Sequence, residues 1–149
     1  MPFCSQTDLE YAVGGAATLA QLLDKDGDGY ADAQFVSRIL DRATGEAKSA
    51  VQLSNDLGAL ANGVIPDSLI YATANIAAYY AFLEGTQGQG VPDSIRANYD
   101  DALRWLDQIA RKERTLGATP RTVTDQQVGI IDPDPQGLKV SRRSLRGFW

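Results

Sequence analysis

The sequence has 149 residues, enough for one domain with a substantial core. Hydrophobic residues make up 44% and charged residues 22%, as in an ordinary soluble globular protein, and the formal net charge of −5 offers no general attraction to nucleic acid or anionic lipid. There is no histidine, which excludes a Ser-His-Asp triad, a Cys-His pair and a histidine-based zinc site.

The opening "MPFCSQTDLE" lacks a basic segment followed by an apolar one, so a secretory signal is not expected. Cys4 is the single cysteine and leaves no partner for an intrachain disulfide, which fits a reducing compartment. "TDLEYAVGG" reads as a capping box between Thr7 and Glu10, a short helix from Asp8 to about Val13, and a stop at Gly14-Gly15. "AATLAQLL" predicts a second short helix, with Leu19, Leu22 and Leu23 on one stripe.

"DKDGDGYAD" follows, with four aspartates and two glycines in nine residues. A calcium-binding helix–loop–helix takes ligands from loop positions 1, 3, 5, 7 and 9, turns on a glycine at 6 and closes with a bidentate glutamate at 12. Asp24, Asp26 and Asp28 fall at the first three, Gly29 at the turn, Tyr30 at the carbonyl position and Asp32 at the ninth. The twelfth residue is Phe35, which has no oxygen to give, and no second loop occurs. The plainer expectation is a solvated turn in which aspartates cap neighbouring N–H groups, with Asp32 as the N-cap of the next helix. Asp24, Asp26, Asp28 and Asp32 stay as candidate calcium ligands.

A long helix is expected from near Asp32 to about Leu53, burying Phe35, Val36, Ile39, Leu40, Ala43, Ala47, Ala50 and Val51. Asn62-Gly63 and Pro66 signal a break. Asp67 then caps "SLIYATANIAAYYAFLE", whose stripe of Leu69, Thr73, Ile76, Tyr80 and Leu83, widened by Ile70, Ala74 and Ala77, predicts a central helix. Tyr71, Tyr79 and Tyr80 read as core-edge residues with wet hydroxyls rather than as a binding surface. "GTQGQG" lacks the spacing and the following Lys-Ser or Lys-Thr of a phosphate loop and reads as a flexible connection. The last helix opens with Asp93 as cap and buries Ile95, Tyr99, Ala102, Leu106 and Ile109. Arg111, Lys112 and Arg114 are expected in its last turn, before a stop at Gly117.

Residues 118–149 hold three of the six prolines and no helical period. "RTVTDQQVGIID" has the pattern of a strand or half a hairpin. Five basic against three acidic residues leave this stretch at +2 and the preceding body at −7. Arg142, Arg143, Leu145, Arg146, Phe148 and Trp149 combine the residue types enriched where proteins dock. The expected architecture is therefore mostly α. It is a small helical bundle over 1–117, two short N-terminal helices and three longer ones, with an extended C-terminal arm over 118–149 that includes a hairpin-like segment. Carboxylates are scattered at caps and surfaces, so no enzyme is expected.

In order and spacing, "TDLEYAVGG", "LAQLLDKDGDG", "IPDSLIYATANIAAYYAFLEG", "VPDSIRANYDDALRWLDQIARKERTLG" and "SRRSLRGF" resemble the small head–tail joining proteins of Mu-like phages and prophages. One departure is "AVQLSNDLGALANG", where family members often carry an aromatic, basic, proline-rich stretch. The resemblance implies a structural virion protein at the neck, assembled in the bacterial host cytoplasm: an adaptor forming a ring of about twelve copies between the portal protein and the tail or stopper protein. Packaged DNA would pass through without specific binding, and neither membrane nor cofactor is implied. The alternative is a calcium-dependent binding module built on the Asp24–Asp32 loop.

Overall fold

A computed structural model describes residues 1–54 and 65–116. The turn expected at Asn62-Gly63, the stop at Gly117, the hairpin-like segment and the arm lie outside the described residues.

Helix α1 (Gln6–Val13) starts where Phe3 and Cys4 are buried and the Phe3 N–H donates to Thr44 Oγ1 at 3.0 Å. That anchor fixes the first turn two residues earlier than the Thr7–Glu10 box would place it. Ser5 is the N-cap: its Oγ accepts from the Asp8 N–H, and Asp8 Oδ2 accepts from the Ser5 N–H at 2.7 Å. The helix ends as expected at Gly14, whose φ of 98° is left-handed, with the Gly15 N–H donating to the Glu10 carbonyl. Helix α2 (Ala16–Leu23) buries Leu19 and Leu23 and leaves Leu22 partly covered.

Helix α3 (Ala33–Val51) lays Val36, Ile39, Leu40, Ala43, Ala47 and Val51 into the core, while Phe35 and Ala50 stay partly exposed. Helices α4 (Asp67–Gly85) and α5 (Asp93–Ala110) both open on Pro-Asp-Ser. The N-caps are Pro66 and Pro92, not the aspartates that follow. Each proline has a ψ near the extended value, 136° and 143°, and its carbonyl takes the first helical N–H groups. Asp67 and Asp93 thus occupy the first helical turn, where the macrodipole favours a carboxylate.

Helix α5 ends at Ala110, short of the expected stop. Lys112 takes the left-handed conformation (φ 62°), and the Glu113 N–H closes back onto the Gln108 carbonyl at 2.9 Å. The cations expected in the last turn therefore follow it. The end of α4 uses the same device, with Gln87 left-handed and the Gly88 N–H donating to the Leu83 carbonyl at 2.9 Å. The "GTQGQG" connection is consequently a series of hydrogen-bonded turns.

Helix α4 is central, as its apolar girth predicts: it packs against α1, α2, α3 and α5. Leu69, Thr73, Ile76 and Ala77 are fully enclosed, and the Thr73 hydroxyl donates to the Leu69 carbonyl at 2.7 Å. Each buried Leu or Ile contributes about 1.5–3 kcal/mol. The five helices form a mostly α bundle, and among the described residues there is no strand. Nor is any described helix long and apolar enough to cross a membrane.

A tyrosine cluster ties α3, α4 and α5 together. Tyr79 stacks on Tyr99 with ring centroids 4.1 Å apart. Tyr80 is buried, its hydroxyl donates to Glu46 Oε2 at 2.5 Å, and the Arg42 guanidinium lies 3.9 Å from its ring centroid. Burial, followed by the hydrogen bond to Glu46 and the charge of that carboxylate, pushes the Tyr80 phenol above its ordinary value. A raised acid favours the protonated form in the folded state. Its contribution is therefore complete below the unfolded value near ~10 and is lost as pH climbs toward the folded one. Tyr80→Phe should cost about 1–2 kcal/mol at neutral pH in denaturant melts and flatten the fall in stability above pH ~10.

Cys4 is buried, and desolvation, helped by the nearby Asp8 charge, pushes its thiol up to about 12. It is an inert core residue.

Candidate functional site

Three parts of the chain invite a functional reading: the aspartate loop, a groove across α1, α4 and α5, and the arm.

The loop is closed by its own backbone. Asp24 accepts from the Gly27 N–H at 2.6 Å and the Gly29 N–H at 2.9 Å. Asp26 accepts from Asp28, and Asp28 from Tyr30. Asp32 stands at the N-cap position of α3, as expected, but makes no side-chain cap bond. Its carboxylate reaches back to the Lys25 N–H at 3.2 Å and pins the loop shut. Gly27 and Gly29 both have positive φ, 81° and 86°, which explains two glycines in so short a stretch.

Asp24, Asp26 and Asp28 can each bring one carboxylate oxygen within 4.8 Å of the others, the one such acidic group among the described residues. The N–H groups of Gly29 and Gly27 hold Asp24 below the usual carboxylate range. Asp26 is shifted the other way: the Asp28 N–H lowers it, but desolvation and the charges of Asp28 and Asp32 outweigh that bond. Phe35, where a closing glutamate would stand, packs against the core with Lys25 and Arg38 flanking its ring at 5.8 and 5.3 Å. The position that should carry two anionic oxygens is thus apolar and edged by cations. Millimolar calcium and excess chelator should give thermal midpoints within about 1 °C of each other. A calcium-dependent rise of several degrees would restore the loop as a metal site.

The groove was harder to read from sequence. Two adjoining hollows, of about 230 and 480 Å³, share Tyr71, Asn75 and Asn98. That is room for several side chains of a partner. Ile70 and Tyr11 line one and Trp105 the other. Tyr11 is 82% exposed and Tyr71 67%. The expectation for the three tyrosines therefore divides: Tyr79 and Tyr80 belong to the packed cluster, whereas Tyr71 faces outward into the groove. Asn75 is buried on the apolar central helix and lies on the floor of both hollows. A lone asparagine in "ATANIAAYY" was its only signal in the sequence. Asp8, Asp67 and Asp101 are the charged residues of the lining, and no Lys or Arg joins them. Arg104 partly offsets Asp101 through a solvent-exposed pair at 3.3 Å.

Arg142, Arg143, Leu145, Arg146, Phe148 and Trp149 lie outside the described residues. Leu116, the last described residue, is buried.

Residues 3–131, most of the chain, match the family described as Bacteriophage Mu, Gp36. The chain belongs to that family. It is thus a phage structural or morphogenesis protein, in line with the resemblance read from its motifs. The Gp36 match stops at residue 131, so the basic and aromatic end of the arm lies beyond it. No curated protein matches the chain.

Proposed function

We propose that this Gp36-family protein is a head–tail adaptor of the virion neck, forming a ring between the portal protein and the tail or stopper. The observation that carries the reading is the division of the chain. A packed helical body, described to Leu116, is followed by the stretch 118–149, with opposite net charge and docking-type residues at its end. Such a body acts as a rigid wedge, and the arm as a strap to the next subunit or to a portal protomer. Repeated head-to-tail contacts close a ring when the rotation permits, and many copies make each weak contact effective. An acidic body facing the channel would let DNA slide without adhesion. The adaptor needs no catalytic group, and it is assembled in the host cytoplasm.

Gold-labelled antibody against this chain should mark the junction of mature particles and one vertex of tail-less heads. Labelling spread over the capsid shell or along the tail would refute the neck location.

A further inference from the structure

We infer that the groove of α1, α4 and α5 is the receptor for residues 139–149 of a neighbouring copy. This rests on the adaptor reading and deepens it by naming where the strap lands. Three observations point there.

The first is charge: the lining offers Asp8, Asp67 and Asp101 and no cation, and residues 139–149 offer Lys139, Arg142, Arg143 and Arg146 and no acidic side chain. The second is shape and chemistry. Phe148, Trp149 and Leu145 are apolar anchors for two adjoining hollows lined by Tyr11, Ile70, Tyr71 and Trp105, and the three aromatic rings also suit guanidinium groups. Asn75 and Asn98 on the lining supply amides for the backbone of an extended peptide. The third is reach. From Asn98 to the end of α5 is roughly 20 Å, so a return to the chain's own groove is short. Residues 117–138, stretched out, span roughly 70 Å, a length suited to the next subunit.

The test uses a fluorescein-labelled peptide of residues 139–149 and three full-length chains: wild type, one with Phe148→Ala and Trp149→Ala, and one with Tyr11→Ser and Tyr71→Ser. Both tyrosines are largely exposed, so the groove variant should keep the wild-type melting curve. In fluorescence anisotropy the peptide should bind the first two chains and bind the groove variant at least about tenfold more weakly. Raising salt to about 0.5 M should weaken binding to all. Binding to the arm-altered chain alone, with the wild-type chain monomeric in light scattering, would mean that each groove holds its own arm and would overturn the inference, whereas the same result with an oligomeric wild type would support it. Equal binding to the groove variant, or no binding to any chain, would overturn it as well. If virions carrying the groove substitutions still join heads to tails while antibody marks the neck, the adaptor reading stands and this inference fails alone.

Discussion

Phage encoding the chain without residues 139–149 should produce filled heads and complete tails that do not join. The reasoning is energetic as well as topological. The described body carries a packed core of its own, in which Leu9, Leu19, Leu23, Leu69, Ile76 and Ile109 are all fully buried. Removing the segment should therefore leave the melting temperature of the isolated chain within a few degrees of wild type. What would be lost, on the proposed reading, is an aromatic and arginine anchor, of the kind that dominates association energy when it sits in a desolvated pocket. In the proposed ring the contact would repeat, so losing one anchor per copy would remove every copy of it at once and collapse the avidity. Electron microscopy of lysates should show separated heads and tails, with plaque titre reduced by orders of magnitude. Joined, infectious particles from the deletion would count against the arm.

The largest expected effect on stability comes from a change that helix propensity would favour. A Cβ on Gly85 would lie 2.8 Å from Leu22 Cβ and 2.9 Å from Leu22 Cα. The Cα is backbone and cannot rotate away, so α2 or the last turn of α4 must move. Gly85→Ala should cost about 1–3 kcal/mol, outweighing the gain of about 1 kcal/mol that alanine brings to a helix. Gly85→Val should cost more. Gly45 is the internal control. It lies within α3, it is exposed, and a Cβ there meets nothing within 4 Å. Gly45→Ala should stabilise by about 0.5–1 kcal/mol. Chemical denaturation of the two variants thus predicts opposite signs for one substitution. If both stabilise, the close approach of α2 to α4 is wrong.

Periodicity made the helices legible because each long one has a core face. Leu69, Thr73 and Ile76 on α4, and Ile95, Leu106 and Ile109 on α5, are buried where their spacing places them. Helix ends were less legible because they are decided by contacts distant in sequence or by backbone geometry. Ser5 caps α1 because Phe3 is held by Thr44, a residue on α3. Lys112 takes a left-handed turn that its side chain does not announce, five residues before Gly117, the expected stop.

The loop was readable down to its Asx-type bonds, since short acceptors and glycines act locally. The groove was not, because Tyr11, Tyr71, Asn75 and Trp105 come from three helices and meet only through the packing of α1 and α5 on α4. Family membership was legible from the order of several weak motifs, none of which is diagnostic alone.

A map of the intact particle at side-chain resolution tests the central claim most directly. The adaptor account predicts a ring of this chain between head and tail, with Phe148 and Trp149 seated on another molecule. A map in which those two side chains pack inside their own subunit, remote from every neighbour, would contradict it.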